Sequence, residues 1–449
     1  MQNRNKYLLL SLILLNSCEG FLDEKPKSNL LIPNKVQDLE QLMDATTWGI
    51  NNTPAILEIS TDNLYTSEQG YLGLSILERN AYTWQKDLYE FNGSDWDSPY
   101  YQILVANVVL DEAEKLSPDD QDEGGLLIEL RGRALWMRSQ AYFQLLSAFA
   151  APYDPNGAND SPGVPLRLSP QVGQVVMRGT IGEDYAQITS DLEKAVSMLP
   201  ELAEFKTRPS KLSAHALLAR IYLAMEVYDK AEFHASEALE IDNSLMNYWE
   251  LDATRQYPFL LFNEEVIHHL QMLNYSHMNS GLTFVDSALV KEYAEDDLRK
   301  ELLFTKAAQA INFDGNYSGS RVRFSGLATN EMYLIAAECA ARRGDVNGSM
   351  GILNSLLETR WKEGAFIPFT ASDSEVALSL ILQERRKELI FRGIRWMDLR
   401  RLNRDPRFAK VLSRKVGVET FEIGPESPRY VLPIPPDEIL VSGIAQNPR

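Results

Sequence analysis

The chain has 449 residues, 45% of them hydrophobic, which is enough apolar material for a substantial core and excludes global disorder. With 63 acidic against 44 basic side chains its formal charge is -19, and a surface of that sign repels phosphate backbones, so nucleic acid is excluded as a natural partner. Aromatics make up 10%, including 19 tyrosines and 7 tryptophans, more flat amphipathic surface than a core alone uses, which points to ligand contact.

At the N-terminus, Arg4 and Lys6 precede an apolar run from Tyr7 to Leu15 and then Asn16, Ser17 and Cys18, the layout of a secretory signal. The run is far short of the ~20 residues that span a bilayer. "LNSC" resembles the bacterial lipobox, with Asn16 where a smaller residue is commoner, and implies cleavage before Cys18 and acylation of that cysteine. Two or three acyl chains give firm anchoring where one is marginal. The other cysteine, Cys339, lies in "EMYLIAAECAARRG", a helical stretch in which it is expected as a small core residue and not a disulfide partner. Residues 1–17 are therefore read as signal peptide, 18–32 as a polar lipidated tether, and 33–449 as a single domain.

The body opens at "PNKVQDLEQLMDA", where Asn34 can cap and Val36, Leu39, Leu42 and Met43 share one helical face. A looped region rich in Asn, Thr, Gly and aromatics runs to Ser98. Helices are then expected at about 98–117, 123–149, 181–199, 211–226, 229–241, 284–304, 327–343, 346–360 and 374–392, with "EVIHHLQML" (265–273) as the best strand candidate. The class is mainly α.

Two helix pairs fit the ~34-residue tetratricopeptide pattern. His215, Leu218, Ala219 and Tyr222 take its first places, with Ala231, Ala235 and Ala238 on the second helix. Tyr333, Ala336, Ala337 and Ala340 repeat it, followed by a Gly344-Asp345 turn and then Ser349, Leu353 and Leu356. Small residues at these places let antiparallel helices approach closely.

Residues 384–408, "ERRKELIFRGIRWMDLRRLNRDPRF", interleave basic residues with Glu384, Glu388, Asp398 and Asp405 around Leu389, Ile390, Phe391 and Trp396. Interleaved signs and embedded apolar residues predict internal ion pairs and not a free basic patch. In "YVLPIPPDEILVSGIAQNPR" three prolines within four residues predict an extended segment laid over the body.

No nucleophile elbow, phosphate loop or dinucleotide fingerprint follows an expected strand. His215 and His234 sit on the first tetratricopeptide-like pair. His268, His269 and His277 flank the expected strand, where neighbours point to opposite faces and do not converge on a metal. No metal or other cofactor is expected. "YDPNGAND" (153–160) lacks calcium-loop spacing and reads as a turn cluster. The 63 acidic residues give many carboxylate pairs but no motif that singles out a glycosidase pair.

The aromatic residues remain. Between Tyr65 and Tyr101 lie Tyr71, Tyr82, Trp84, Tyr89, Phe91, Trp96 and Tyr100, amid Asp, Asn and Gly. Trp96, Tyr100 and Tyr101 lead into an apolar helix and are assigned to the core. A second group, Tyr275, Phe284, Phe313 and Tyr317, is placed to meet the first across a groove. Sugars stack their C–H faces on such rings while rim amides and carboxylates bond the hydroxyls. The candidate ligand residues are Tyr65, Tyr71, Trp84, Tyr89, Tyr275 and Tyr317, with no catalytic residue.

Together "CEGFLDEKP", "WDSPYYQILVANVVLDEAEKL" (Trp96, Tyr100, Ile103 and Asn107 as W-x3-Y-x2-I-x2-N), "ELRGRALWMRSQAYFQLLSAFAAPYD" with "GVPL", "ALVKEYAEDDLRK", "EMYLIAAECAARRGD", "ERRKELIFRGIRWMDLRR" and "VLPIPPDEI" with "QNP" resemble the SusD/RagB family of Bacteroidetes outer-membrane lipoproteins, in family order. The chain is somewhat short for that family, and the shortening falls between about 245 and 325. The resemblance implies a SusD-like helical superhelix with tetratricopeptide-like pairs, and a cell-surface binding protein, not an enzyme. It implies a lid on a SusC-like TonB-dependent transporter that passes an oligosaccharide to the barrel. Peptide or glycopeptide uptake and a non-catalytic surface scaffold are the alternatives.

Overall fold

The computed structural model describes residues 33, 35–90, 93–116, 125–171, 173–278, 281–307 and 310–449. The expectations for the signal, Cys18, the tether, the Asn34 cap and Phe91 lie outside them. The class is mainly helical. The principal helices are α1 (Val36–Met43), α2 (Ser94–Lys115), α3 (Leu126–Phe149), α4 (Ile181–Met198), α5 (Lys211–Ala224), α6 (Tyr228–Ile241), α7 (Thr329–Arg342), α8 (Val346–Glu358), α9 (Ser374–Glu388), α10 (Arg395–Leu402) and α11 (Pro436–Ser442). Helices α2 to α6 pack each on the next, α6 on α7, and α7 on both α8 and α9.

Local sequence sets the starts of these helices. Thr180 and Glu183 form a reciprocal capping box on α4, Ser210 and Ser213 do so on α5, and Asp345 and Asp373 cap α8 and α9. Gly344, at a φ of 91°, makes the left-handed turn between α7 and α8. The two expected pairs are α5 with α6 and α7 with α8, and Ala231, Ala235, Ala238, Ala337 and Ala340 are fully buried between them. Cys339 is a buried free thiol on α7.

The W-x3-Y-x2-I-x2-N helix works as a clamp. Trp96 packs edge-on against Phe149, the Tyr100 hydroxyl donates to the Pro165 carbonyl at 3.0 Å, and the Asn107 amide donates to the Arg167 carbonyl at 2.8 Å. Tyr101, by contrast, is exposed and not a core residue. The strand Pro162–Pro165 that receives the clamp pairs with Arg178–Thr180. Gly163 passes so close to Asp184 that a Cβ there would stand 1.8 Å from the Asp184 carboxylate, which accounts for the glycine of "GVPL".

The structure corrects the sequence reading in four stretches. The helix expected over 284–304 is instead a strand Phe284–Val285, two single-turn helices (Ser287–Val290 and Arg299–Leu302) and the start of the hairpin Phe304–Ala307 with Ala310–Phe313. Side chains compete with the helix there: Asp286 caps the first turn, and Asp297 accepts the Arg299 backbone and guanidinium. In the C-terminal segment, Pro436 opens α11, because a proline in the first turn forfeits no helical hydrogen bond. The loop before Ser98 contains short helices at Ile56–Ser60, Glu68–Gly73 and Ile76–Tyr82. A hairpin, Leu412–Val416 with Glu419–Ile423, follows α10 and was not expected at all.

The 384–408 segment forms internal ion pairs as expected. Arg299 meets Asp297, Glu384 and Glu388, Arg360 meets Glu265 and Glu388, and Arg401 meets Glu338 and Asp398, all buried. The "YDPNGAND" cluster is a turn, with the Asn156 and Asp154 amides donating to the side chains of Asp154 and Asn159.

Candidate ligand-binding cleft

Two strand pairings bring the early loops and the middle of the chain together. Leu64–Tyr65 pairs antiparallel with Phe284–Val285, and Asn52–Thr53 pairs parallel with Gln271–Met272. Beside the first pairing a cleft of about 350 Å³ opens, walled by Leu64, Tyr257, Met278, Phe284 and Phe313. Its polar groups come from distant parts of the chain: Glu58, His277, Asn312, Arg321 and Arg323.

Arg323 lies on the floor, clamped between the rings of Phe313 and Phe391 at 4.7 and 5.0 Å, with its Nη1 donating to the Phe313 carbonyl. Burial brings its guanidinium down to about 10, which leaves it charged at neutral pH. Glu58 is buried, which raises its pKa, while hydrogen bonds from Asn63 and the Gly393 amide and the field of Arg323 act the other way.

His277 is fixed by Glu78, which accepts its backbone N–H at 2.7 Å and stands 3.0 Å from its Nδ1. Burial pushes Glu78 up, but hydrogen bonds from His277, Ser276 and Ser75 outweigh it and hold the carboxylate at about 2. An ionised Glu78 places the imidazole proton on Nδ1, so Nε2, which is buried without a partner, is an acceptor. Asn312 Oδ1 is likewise buried without a partner. The cleft therefore brings together acceptors, a guanidinium donor and ring faces.

The six residues chosen from sequence divide. Tyr65 is exposed at the cleft edge, its ring 5.5 Å from that of Phe284, so the two aromatic groups do meet. Tyr71 is half-buried, 6.0 Å from the Tyr82 ring. Tyr275 is also half-buried, stacked on His277, and its hydroxyl is held by Asp95. Trp84, Tyr89 and Tyr317 are interior and present no ring to a ligand. Trp84 donates to the Ser60 carbonyl beneath the Arg414 guanidinium, and Tyr317 bonds Glu265 and Tyr248.

Glu58, Tyr257, His277, Asn312, Arg321 and Arg323 were not singled out for ligand contact from sequence. The basic-aromatic alternation "RVRF" (321–324) is the local signal for the two arginines, and His277 carries none beyond its place beside the expected strand. Among the described residues, no three His, Cys, Asp or Glu side chains gather into a metal-binding group. No described helix is long and apolar enough to cross a membrane.

Comparisons with known proteins agree across the chain. Residues 20–223 match a family model described as starch-binding, associating with outer membrane, and residues 314–449 match the model of the SusD family. SusD-like protein P2 of Formosa agariphila is 22% identical over 416 residues, covering 77% of each chain. The crystal structure of a SusD superfamily protein from Bacteroides thetaiotaomicron superposes with a TM-score of 0.76 at 21% identity, covering 92% of this chain and 100% of that one. A laminarin-binding SusD-like protein superposes with a TM-score of 0.66 at 19% identity, covering 91% and 97%.

Proposed function

This chain belongs to the SusD/RagB family, and from that premise we propose that it captures an extracellular oligosaccharide in the cleft over Arg323 and delivers it, without turnover, to a TonB-dependent outer-membrane transporter. Acylated Cys18 would hold it at the cell surface. The observation that carries the reading is the mixed chemistry of the cleft. A sugar offers hydroxyls that donate and accept, together with an apolar C–H face. The cleft answers with the polar side chains of His277, Asn312, Arg321 and Arg323 and with the rings of Tyr257 and Phe284. The laminarin-binding relative of the same fold supports a glycan over a peptide.

Affinity electrophoresis against a panel of soluble polysaccharides, run beside a peptide panel, tests this. At least one glycan retards the protein, and Tyr257→Ala weakens that interaction roughly tenfold, equivalent to about 1.4 kcal/mol, with an unchanged melting temperature. Retention by peptides alone would transfer the cleft to peptide uptake, and turnover of a glycan by pure protein would make it an enzyme. Copurification of a large barrel protein from membranes tests the partner, and mass spectrometry of the mature N-terminus tests the anchor.

A further inference from the structure

Most buried arginines of this molecule have an evident counterpart. Arg299, Arg360 and Arg401 face carboxylates, and Arg400 and Arg414 donate to backbone carbonyls. Arg392 is different. It is only 5% exposed and lies on the rings of Tyr317 and Phe324, 4.7 and 4.4 Å from their centroids. Its guanidinium makes no hydrogen bond or ion pair with any described residue, and its Nε and Nη2 are buried without a partner. The carboxylate whose field reaches it, Glu331, is already held by Nε and Nη2 of Arg220 at 2.9 and 2.6 Å. An uncompensated buried cation is among the costliest arrangements in a protein interior.

Arg392 lines a cavity of about 60 Å³ together with Gln140, Gln144, Ser147, Arg220 and Ser325. Gln140, Gln144 and Ser147 are spaced i, i+4, i+7, so they form a polar stripe on α3, whose neighbouring residues Ala141, Phe143, Leu145 and Leu146 are buried and apolar. Gln144 Nε2 and Oε1 and Gln140 Oε1 also lack partners. Of these five unpartnered side-chain atoms around one small space, three are N–H donors, two of them on a cation, and they call for an acceptor; the two glutamine oxygens are left to water. That inner volume suits a single monatomic ion or a few waters. Charge decides between those.

We propose that Arg392 and the amide of Gln144 form a binding site for a small monovalent anion of halide size. The site would also stiffen the ligand cleft. Arg392 sits between Phe391, which lines the cleft at a φ of 55°, and Gly393, whose N–H donates to Glu58 at 3.1 Å. An ion on Arg392 pins that three-residue segment from behind. This inference does not depend on the nature of the cleft's ligand.

Crystals of the mature chain soaked in sodium bromide, with data collected at the bromine absorption edge, test the site. An anomalous peak within hydrogen-bond distance of the Arg392 guanidinium and the Gln144 amide supports it, and water density without an anomalous peak overturns it. In solution, the melting temperature rises with chloride relative to gluconate at constant ionic strength, because an ion that binds only the folded state stabilises it. Arg392→Met, which keeps the apolar stem on the two rings, abolishes that difference. Equal midpoints in the two salts would also overturn the site, whether or not the variant folds.

Discussion

Trp84 owes its place to Arg414. The guanidinium of Arg414, carried on the unexpected hairpin, reaches the carbonyls of Ile59 and Tyr82 at 2.7 and 2.5 Å and covers the rings of Tyr82 and Trp84 at 3.9 and 4.6 Å. Locally, an indole among Asn, Gly and Asp reads as a ligand platform, and only a residue more than three hundred positions away makes it core. Trp84→Ala should therefore cost about 3–5 kcal/mol of stability in denaturant melts. The same substitution should leave glycan affinity per folded molecule unchanged. A stable variant with lost binding would restore Trp84 to the ligand site.

Among the elements, the alternation of signs in residues 384–408 is what puts α9 and α10 inside the protein. Glu388 is shared by Arg299 and Arg360, and its pKa is about 2: burial raises it, but these two cations outweigh the burial. Replacing it with glutamine leaves both guanidinium groups short of a charge in a dry interior. Glu388→Gln is expected to cost about 3 kcal/mol in chemical denaturation, whereas Lys115→Ala, whose pairs with Asp111 and Glu112 are exposed, should leave the midpoint nearly unchanged. Equal effects would mean that the buried network is no stronger than a surface one. The region over 284–304 shows the limit of periodicity at this scale. Its apolar spacing suits a helix, but the Phe284–Val285 backbone is taken by Leu64–Tyr65 and the Asp297 side chain by Arg299.

For the molecule as a whole, stability should depend on pH through carboxylates of both kinds. Glu78, Glu338 and Glu388 have folded pKa values of about 2 against an ordinary 4.5, because hydrogen bonds and cations outweigh their burial. A depressed acid stabilises the fold above its unfolded pKa, so their contribution is full above about 4.5 and is lost as pH falls towards 2. Asp184 works with the opposite sign. Burial raises it to about 7 from 3.8, so what it contributes is present below 3.8 and lost as pH rises through 7. Urea midpoints measured from pH 2 to 9 should peak between about 4.5 and 7. Asp184→Asn should flatten the alkaline limb, and a limb unchanged by that substitution would remove Asp184 as its cause.

The helical class, the two alanine-lined helix pairs, the internal ion pairs of 384–408 and the core role of Cys339 are all legible in the chain. Each is written in short-range spacing: apolar period, capping residues, small residues at helix contacts, and alternating charge within one turn or two. The chain also locates the two regions that meet at the cleft, through Tyr65 and Phe284. Which side chains of those regions face the cleft is set by long-range packing. Trp84 and Tyr317 are held inside by Arg414 and Glu265 and Tyr89 packs into the apolar core, while Glu58, Tyr257, His277, Asn312 and Arg323 converge from separate segments. A ring or a carboxylate has the same local pattern whether it faces solvent or core, and its burial is set by partners whose distance along the chain no local spacing encodes.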